Sequence, residues 1–154
     1  MDYIFRKATP ADAAKIEKLF SEMRKTIYGS DDAEGYEIGY LDKFFSGRED
    51  WICVAEQEQD VVAFLSMESY RDAGYLYLDD LSVAEGHRKN GIGTKLIRTA
   101  EEYAKAIGAE KIVLHVEKAN QAASRFYSKL GYKEVALDGS RILMSKSVKS
   151  SANG

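Results

Sequence analysis

The chain has 154 residues, 25 acidic and 22 basic side chains, a net charge of −3 and a hydrophobic content of 45%. These values predict one globular domain, and they disfavour nucleic acid as a partner because phosphate binding needs a basic surface. The single cysteine excludes an internal disulfide, and no apolar run reaches the roughly 20 residues needed to span a membrane. With no signal-peptide pattern at the N-terminus, we expect a cytoplasmic protein without membrane contact.

The first third of the chain reads as strand, helix and helix. Residues 3–8 favour a strand, and Thr9 and Pro10 then mark a helix start. This helix has apolar residues at helical spacing, namely Ile16, Leu19, Phe20, Met23 and Ile27. Residues 29–32 end it, and a second helix is predicted over residues 35–45.

The segment 30–50 is acidic, with seven carboxylates against two cations. One interpretation is a solvated helix face. The other is a rim that attracts a cationic substrate, with Tyr28 and Glu37 as candidate substrate-binding residues.

The middle of the chain favours strands. Residues 51–55 and 61–67 predict a hairpin around the turn 58–60, with Cys53 as a small buried hydrophobe. A strand over 75–83, a helix over 93–107 and a strand over 111–116 then form a right-handed strand–helix–strand unit, so the two strands should be parallel.

The last third of the chain predicts one more helix and a hairpin. The helix covers residues 120–130 and ends at Gly131. An antiparallel pair, 132–137 and 140–145, follows around the turn Asp138-Gly139. Residues 147–154 read as a disordered polar tail, which leaves a single domain over residues 1–146.

The join between strand 75–83 and helix 93–107 is typical of an anion site. Gly86 and Gly91 have the spacing of a nucleotide-hydrolase phosphate loop, but Lys and Ser/Thr do not follow. A dinucleotide fingerprint fails as well, because Leu96 stands where its third glycine belongs. The run Arg88-x-x-Gly91-x-Gly93 does fit, since small residues let an anion approach the amides at a helix start.

Two motifs give the chain its resemblance to the GNAT superfamily of N-acetyltransferases. The run from Arg88 to Gly93 matches the pyrophosphate loop Q/R-x-x-G-x-G/A of that family. Asn120 opens a helix, and Tyr127 follows seven residues later within Phe-Tyr-x-x-x-Gly-Tyr. Residues 77–83 are also similar to the strand Y-L-E-D-x-x-V of the diamine and polyamine branch.

The resemblance implies an α/β fold with a six- to seven-stranded mixed sheet and about four flanking helices. Its parallel central strands would splay to hold acyl-CoA. The implied activity is acetyl-CoA-dependent transfer of an acetyl group to a primary amine, by direct attack in a ternary complex, without a metal. The cofactor-binding residues would be Leu81, Ser82, Val83, Arg88, Lys89, Asn90, Gly91, Ile92, Gly93, Thr94, Asn120 and Tyr127.

The resemblance also assigns catalytic roles. Tyr127 would protonate the departing thiolate, and Asp79 would be the first candidate for the general base, with Asp80 the second. Asp79 could instead bind the ammonium form of the amine. A phase change in apolar alternation predicts a β-bulge at Asp79-Asp80, which would free an amide for the acetyl carbonyl.

Several alternatives remain open from the sequence. We expect His115 to be a packed or edge histidine and His87 to be an exposed loop residue. The acceptor could be a small cationic amine, or a lysine or N-terminus of a protein, and residues 24–50 would decide between them. A non-catalytic acyl-CoA-binding domain is the third reading, which Asp79, Asn120 and Tyr127 disfavour. A homodimer is possible.

Overall fold

A computed structural model describes residues 2–29 and 35–148 of the protein. The strands are β1 (Ile4–Lys7), β2 (Trp51–Gln57), β3 (Asp60–Tyr70), β4 (Tyr75–Val83), β5 (Lys111–Glu117), β6 (Lys133–Asp138) and β7 (Arg141–Ser147). The α-helices are α1 (Ala13–Tyr28), α2 (Asp42–Ser46), α3 (Ile92–Ala106) and α4 (Gln121–Lys129).

The seven strands form one mixed sheet in the order β1-β2-β3-β4-β5-β7-β6. β4 and β5 pair in parallel, from Tyr75 with Lys111 to Leu78 with Leu114, and both strands continue beyond this ladder. The β1–β2, β2–β3, β5–β7 and β6–β7 pairs are antiparallel. The predicted fold class, including the parallel central pair, is therefore confirmed.

The chain divides into two compact units, and the first comprises Met1–Met67 with Asp80–Ile97. The buried face of α1 lies in its core, where Ile16 and Leu19 are at most 1% exposed. The helix start follows the predicted signals, because the Thr9 N–H donates to Asp12 Oδ2 at 2.8 Å. Gly29 ends α1 in the left-handed conformation, with φ of 64°.

The predicted helix over residues 35–45 is wrong in its extent. The structure has a turn before α2, which covers five residues, Asp42–Ser46. Gly39 has a φ of 81°, which a right-handed helix does not accommodate. Tyr36, Tyr40 and Phe44 nevertheless contact one another in sequence order.

The second unit comprises Glu68–Asp79 with Arg98–Gly154, and a buried carboxylate lies within it. Glu101 on α3 is 6% exposed. It accepts hydrogen bonds from Arg98 at 2.7 Å, Tyr132 at 2.9 Å and Lys146 at 3.0 Å. Burial alone would raise the pKa of Glu101, but these three donors outweigh it and hold the pKa below its usual value.

The end of the second unit extends past the predicted domain boundary at residue 146. Ser147 is the last residue of β7 and pairs with Lys111. Val148 is buried, and its N–H donates to the Glu110 carbonyl at 2.9 Å. The remainder of the predicted tail lies outside the described residues.

Candidate active site

The loop between β4 and α3, in the first unit, has the backbone geometry of an anion site. Lys89 and Gly91 adopt positive φ values of 71° and 76°. The Lys95 N–H donates to the Gly91 carbonyl at 3.1 Å, so the first turn of α3 begins directly after Gly91. The amides of Ile92, Gly93 and Thr94 therefore have no acceptor within the helix, and the helix dipole favours an anion there.

The loop is held by a residue that the sequence did not indicate. The Tyr3 hydroxyl lies 3.0 Å from His87 Nδ1 and accepts a hydrogen bond from Asn90 Nδ2, also at 3.0 Å. Arg88 Nε donates to the Val83 carbonyl at 3.1 Å. His87 is thus half-buried against Tyr3, contrary to the expectation of an exposed loop residue.

Asp80 on β4 is anchored at two points. Its Oδ2 accepts a hydrogen bond from the Tyr36 hydroxyl at 2.7 Å. Its backbone N–H donates to Ser66 Oγ at 3.0 Å, so this amide has a side-chain partner. That contact is in keeping with an irregular strand here, and the bulge at Asp79-Asp80 stays a prediction.

Tyr36 reaches Asp80 from a stack of aromatic rings. Its ring lies 3.8 Å from Phe20 and 4.8 Å from Tyr40, centroid to centroid, with interplanar angles of 13° and 6°. Both faces of the Tyr36 ring are therefore covered, which fixes the direction of its hydroxyl. The sequence offered a signal for Ser66, a single polar residue in the apolar run of β3, but none for Tyr36.

The remaining strand residues predicted to bind cofactor differ in their surroundings. Ser82 is 5% exposed, and its hydroxyl donates to the Leu19 carbonyl at 3.2 Å. Its side chain is thus turned into the fold, and a ligand would meet its backbone. Leu81 and Val83 are partly exposed.

The two predicted substrate contacts lie on the surface. Tyr28, the last residue of α1, is 49% exposed, and the Arg24 guanidinium lies 4.8 Å from its ring centroid. Glu37 is exposed, and its carbonyl accepts the Tyr40 N–H. The acidic residues 31, 32 and 34 lie outside the described residues. Among the described residues of this segment, Tyr36 contacts Asp80 of β4.

In the second unit, α4 carries the other two predicted residues. Asn120 is the N-cap, and its Oδ1 accepts the Ala123 N–H at 3.2 Å. Tyr127 is 9% exposed, with its ring edge-on to Tyr132 at 5.8 Å. Burial is the main cause that raises the pKa of Tyr132, so the Tyr132 hydroxyl stays protonated.

Asp79 and His115 also belong to the second unit. Asp79 is partly exposed on β4. His115 on β5 lies with Nδ1 2.6 Å from the Tyr77 hydroxyl and Nε2 3.2 Å from Asp138 Oδ2. Burial lowers the pKa of His115, Arg141 adds to this effect, and Asp138 opposes it. The expectation of a packed histidine is met, but with a polar partner on each ring nitrogen.

Cys53 behaves as predicted. It is 2% exposed on β2, and burial raises the pKa of its thiol to about 11. A thiol in that state is a poor nucleophile. Among the described residues, no group of three or more His, Cys, Asp or Glu side chains is placed to hold a metal ion. No helix in the described part of the chain is long and apolar enough to cross a membrane.

The sequence profile of the acetyltransferase (GNAT) family matches residues 16–132, which include the β4–α3 loop and α4. The chain belongs to this family. It is accordingly a GNAT acyltransferase, as the two sequence motifs predicted.

Curated relatives and a solved structure agree with this assignment. The uncharacterized N-acetyltransferase YhfO of Bacillus subtilis is 30% identical over 133 residues, covering 84% of this chain and 89% of the relative. Streptothricin acetyltransferase of Streptomyces lavendulae is 31% identical over 159 residues, covering 88% of this chain and 84% of the relative. The PaiA N-acetyltransferase of Thermoplasma acidophilum, solved with coenzyme A, shares the fold with a TM-score of 0.80 at 21% identity. The match covers 96% of this chain and 99% of that structure.

Proposed function

We propose that this GNAT enzyme transfers the acetyl group of acetyl-CoA to the primary amine of a small cationic acceptor by direct attack in a ternary complex. The observation that carries the proposal is the β4–α3 loop, in which left-handed Lys89 and Gly91 precede the free amides of α3. Such amides bind the oxygens of a pyrophosphate. The family's acyltransferase activity supplies the reaction class.

The cofactor would be held by backbone rather than by side-chain charge. The amides of Ile92, Gly93 and Thr94 donate to the pyrophosphate, and exposed Lys89 adds a positive charge. The backbone of Leu81, Ser82 and Val83 is proposed to pair with the pantetheine arm. Asn120 uses Oδ1 for its cap, so its Nδ2 group is the part proposed to donate to that arm.

The amine would be recognised by the carboxylates of β4. Asp80 is oriented by Tyr36 and Ser66, and a carboxylate held in this way attracts an ammonium group. Two exposed acidic residues of the segment before β2, Glu37 and Asp42, support a cationic acceptor. Asp79 is the first candidate for the base, and binding of the ammonium group is its alternative role.

Tyr127 is proposed as the general acid. As the amine attacks, the new N–C bond forms, the thioester C–S bond breaks, and the Tyr127 hydroxyl proton moves to the sulfur. Replacing Tyr127 by Phe keeps the ring packed against Tyr132 but removes this proton. We expect turnover to fall about 100-fold while calorimetry shows an unchanged affinity for coenzyme A. Full activity in this variant would remove Tyr127 from the mechanism.

A protein acceptor is the second candidate. The similarity to streptothricin acetyltransferase favours a small molecule. A panel of acceptors distinguishes a small-molecule amine from a protein acceptor. Each acceptor is incubated with acetyl-CoA, and the released coenzyme A thiol is measured for spermidine, L-lysine, streptothricin and a peptide with a free N-terminus. Acetylation of the peptide alone would refute the small-amine proposal. Coenzyme A binding without transfer to any amine would favour a non-catalytic domain.

A further inference from the structure

Three polar side chains of the second unit form a hydrogen-bonded chain that runs from β4 through β5 to the end of β6. Tyr77 lies on β4, His115 on β5, and Asp138 ends β6. The Tyr77 hydroxyl is 2.6 Å from His115 Nδ1, and His115 Nε2 is 3.2 Å from Asp138 Oδ2. None of the roles proposed so far uses this chain.

One tautomer of the imidazole satisfies both contacts. A neutral ring with its proton on Nε2 accepts from the Tyr77 hydroxyl at Nδ1 and donates to Asp138 at Nε2. Tyr77 from β4 and Asp138 from β6 contact the ring. Arg141 from β7 acts on it electrostatically, and its Nη2 lies 3.9 Å from Asp138 Oδ2. The ring is neutral at ordinary pH because burial and Arg141 lower its pKa more than Asp138 raises it.

Exposure to solvent increases along this hydrogen-bonded chain from His115 to Asp138. The His115 side chain is 17% exposed, whereas that of Asp138 is 62% exposed. Tyr77 stands two residues before Asp79, and residues two apart in a strand lie on the same side of the sheet. Both Tyr77 and Asp79 are partly exposed on β4, so regular alternation of the strand brings the Tyr77 hydroxyl to the side of Asp79.

We propose that Tyr77 and His115 are the proton-accepting pair for the acceptor amine, with Asp138 orienting the imidazole. This inference rests on the proposed acetyl transfer and gives Asp79 the ammonium-binding role. An imidazole is better suited than a carboxylate to accept a proton near neutral pH, because a general base works best when its pKa lies near the working pH.

The proton transfers balance as follows in the proposed step. The ammonium group held at Asp79 first gives one proton to the Tyr77 oxygen, while the original Tyr77 proton moves to His115 Nδ1. The neutral amine nitrogen then bonds to the acetyl carbon as the C–S bond of the thioester breaks. The resulting imidazolium is stabilised by the Asp138 carboxylate and then releases one proton to water. The coenzyme A thiolate takes its proton from Tyr127, and the second proton of the acylated nitrogen returns to Tyr127 through water, so Tyr77, His115 and Tyr127 all end the cycle unchanged.

The test compares kcat as a function of pH in the wild type, His115→Ala and Tyr77→Phe, with saturating acetyl-CoA and saturating spermidine, L-lysine or streptothricin. We expect both variants to lose about 100-fold in kcat. In the wild type, kcat falls as the pH drops through the lowered pKa of His115, and this acidic limb disappears in His115→Ala. Added imidazole restores part of the kcat of His115→Ala, which a purely structural role of His115 does not predict.

Two further variants sharpen the result. Tyr75→Phe, two residues away on the same side of β4, removes a hydroxyl outside the chain and keeps wild-type kcat. Asp79→Asn raises the KM of the amine more than it lowers kcat. Thermal melts show whether each variant is folded, and Tyr77→Phe, which keeps its ring, carries the test if His115→Ala unfolds.

The outcomes separate this inference from the proposed function. Wild-type transfer with unchanged kcat and pH profile in both Tyr77→Phe and His115→Ala refutes the proton-accepting pair and leaves the acetyltransferase intact. If Asp79→Asn is the one variant that loses kcat, and if the acidic limb of the pH profile disappears in this variant, the general base is Asp79. A wild type that acetylates none of the three amines overturns both proposals.

Discussion

The left-handed conformation of Gly91 provides the sharpest test of the proposed cofactor loop. An added Cβ at Gly91 meets no protein atom within 4 Å, so the surrounding fold does not require glycine for space. Its φ of 76°, however, is a conformation that residues with a side chain rarely adopt. Gly91→Ala therefore perturbs the backbone at the start of α3 and puts a methyl group into space proposed for the pyrophosphate.

The magnitude follows from the conformation. Holding an alanine in the left-handed region costs about 1–2 kcal/mol, and every 1.4 kcal/mol corresponds to about tenfold in affinity. If the loop relaxes to avoid this cost, the amides of α3 lose their orientation towards the anion. We expect the Kd for acetyl-CoA to rise roughly 5- to 30-fold, and further if the methyl group meets the pyrophosphate.

Titration calorimetry with acetyl-CoA measures the effect, and Gly86→Ala is the matched control. Gly86 lies in the same loop, has an open space around its Cα and lacks a positive φ. Its replacement should leave the Kd unchanged. An unchanged Kd in Gly91→Ala would refute the loop assignment, even if its melting temperature falls.

Three other substitutions test the contacts that support the site. Tyr3→Phe removes the hydroxyl bonded to Asn90, so we expect the KM of acetyl-CoA to rise about tenfold at constant kcat; a wild-type KM would show that the loop keeps its shape unaided. Tyr36→Phe keeps the aromatic stack but removes the hydrogen bond to Asp80 Oδ2, and kcat/KM for the amine should fall about tenfold without a change in the KM of acetyl-CoA. Equal losses for both substrates would contradict this. Glu101→Gln should lower the free energy of unfolding at pH 7 by about 2–3 kcal/mol in urea titrations.

The pH dependence of the Glu101 effect has a definite sign. The pKa of Glu101 is lowered in the folded protein, so its charge stabilises the fold above the unfolded-state pKa. This contribution is lost as the pH falls through the folded pKa. The difference in unfolding free energy between wild type and Glu101→Gln should therefore shrink on acidification, and a constant difference would refute the assignment.

Local signals were sufficient for the helix that follows the proposed cofactor loop. The predicted helix over 93–107 is displaced by one residue from α3, Ile92–Ala106. Asn120 caps α4 as its motif indicated. These features depend on glycine conformations, caps and apolar spacing within a few residues, which act before any long-range contact forms.

The helix predicted over 35–45 shows the limit of local signals. The structure begins α2 at Asp42, because the left-handed conformation of Gly39 breaks the predicted helix. The Phe20 ring of α1, which stacks on Tyr36, is a tertiary partner that periodicity does not reveal. Packing against α1 thus determines the conformation that the intrinsic preference of the segment left open.

By itself, the amino-acid sequence determined the family, the fold class and the loop that is proposed to bind the cofactor, because each rests on residues close together in the chain. The tertiary structure decided which side chains hold that loop and the end of β4. Tyr3 and Asn90 are 87 residues apart, Tyr36 and Asp80 are 44 apart, and Tyr77 and His115 are 38 apart. Such contacts depend on strand pairing and helix packing, and an isolated tyrosine in a sequence carries no mark of the partner that folding brings to its hydroxyl.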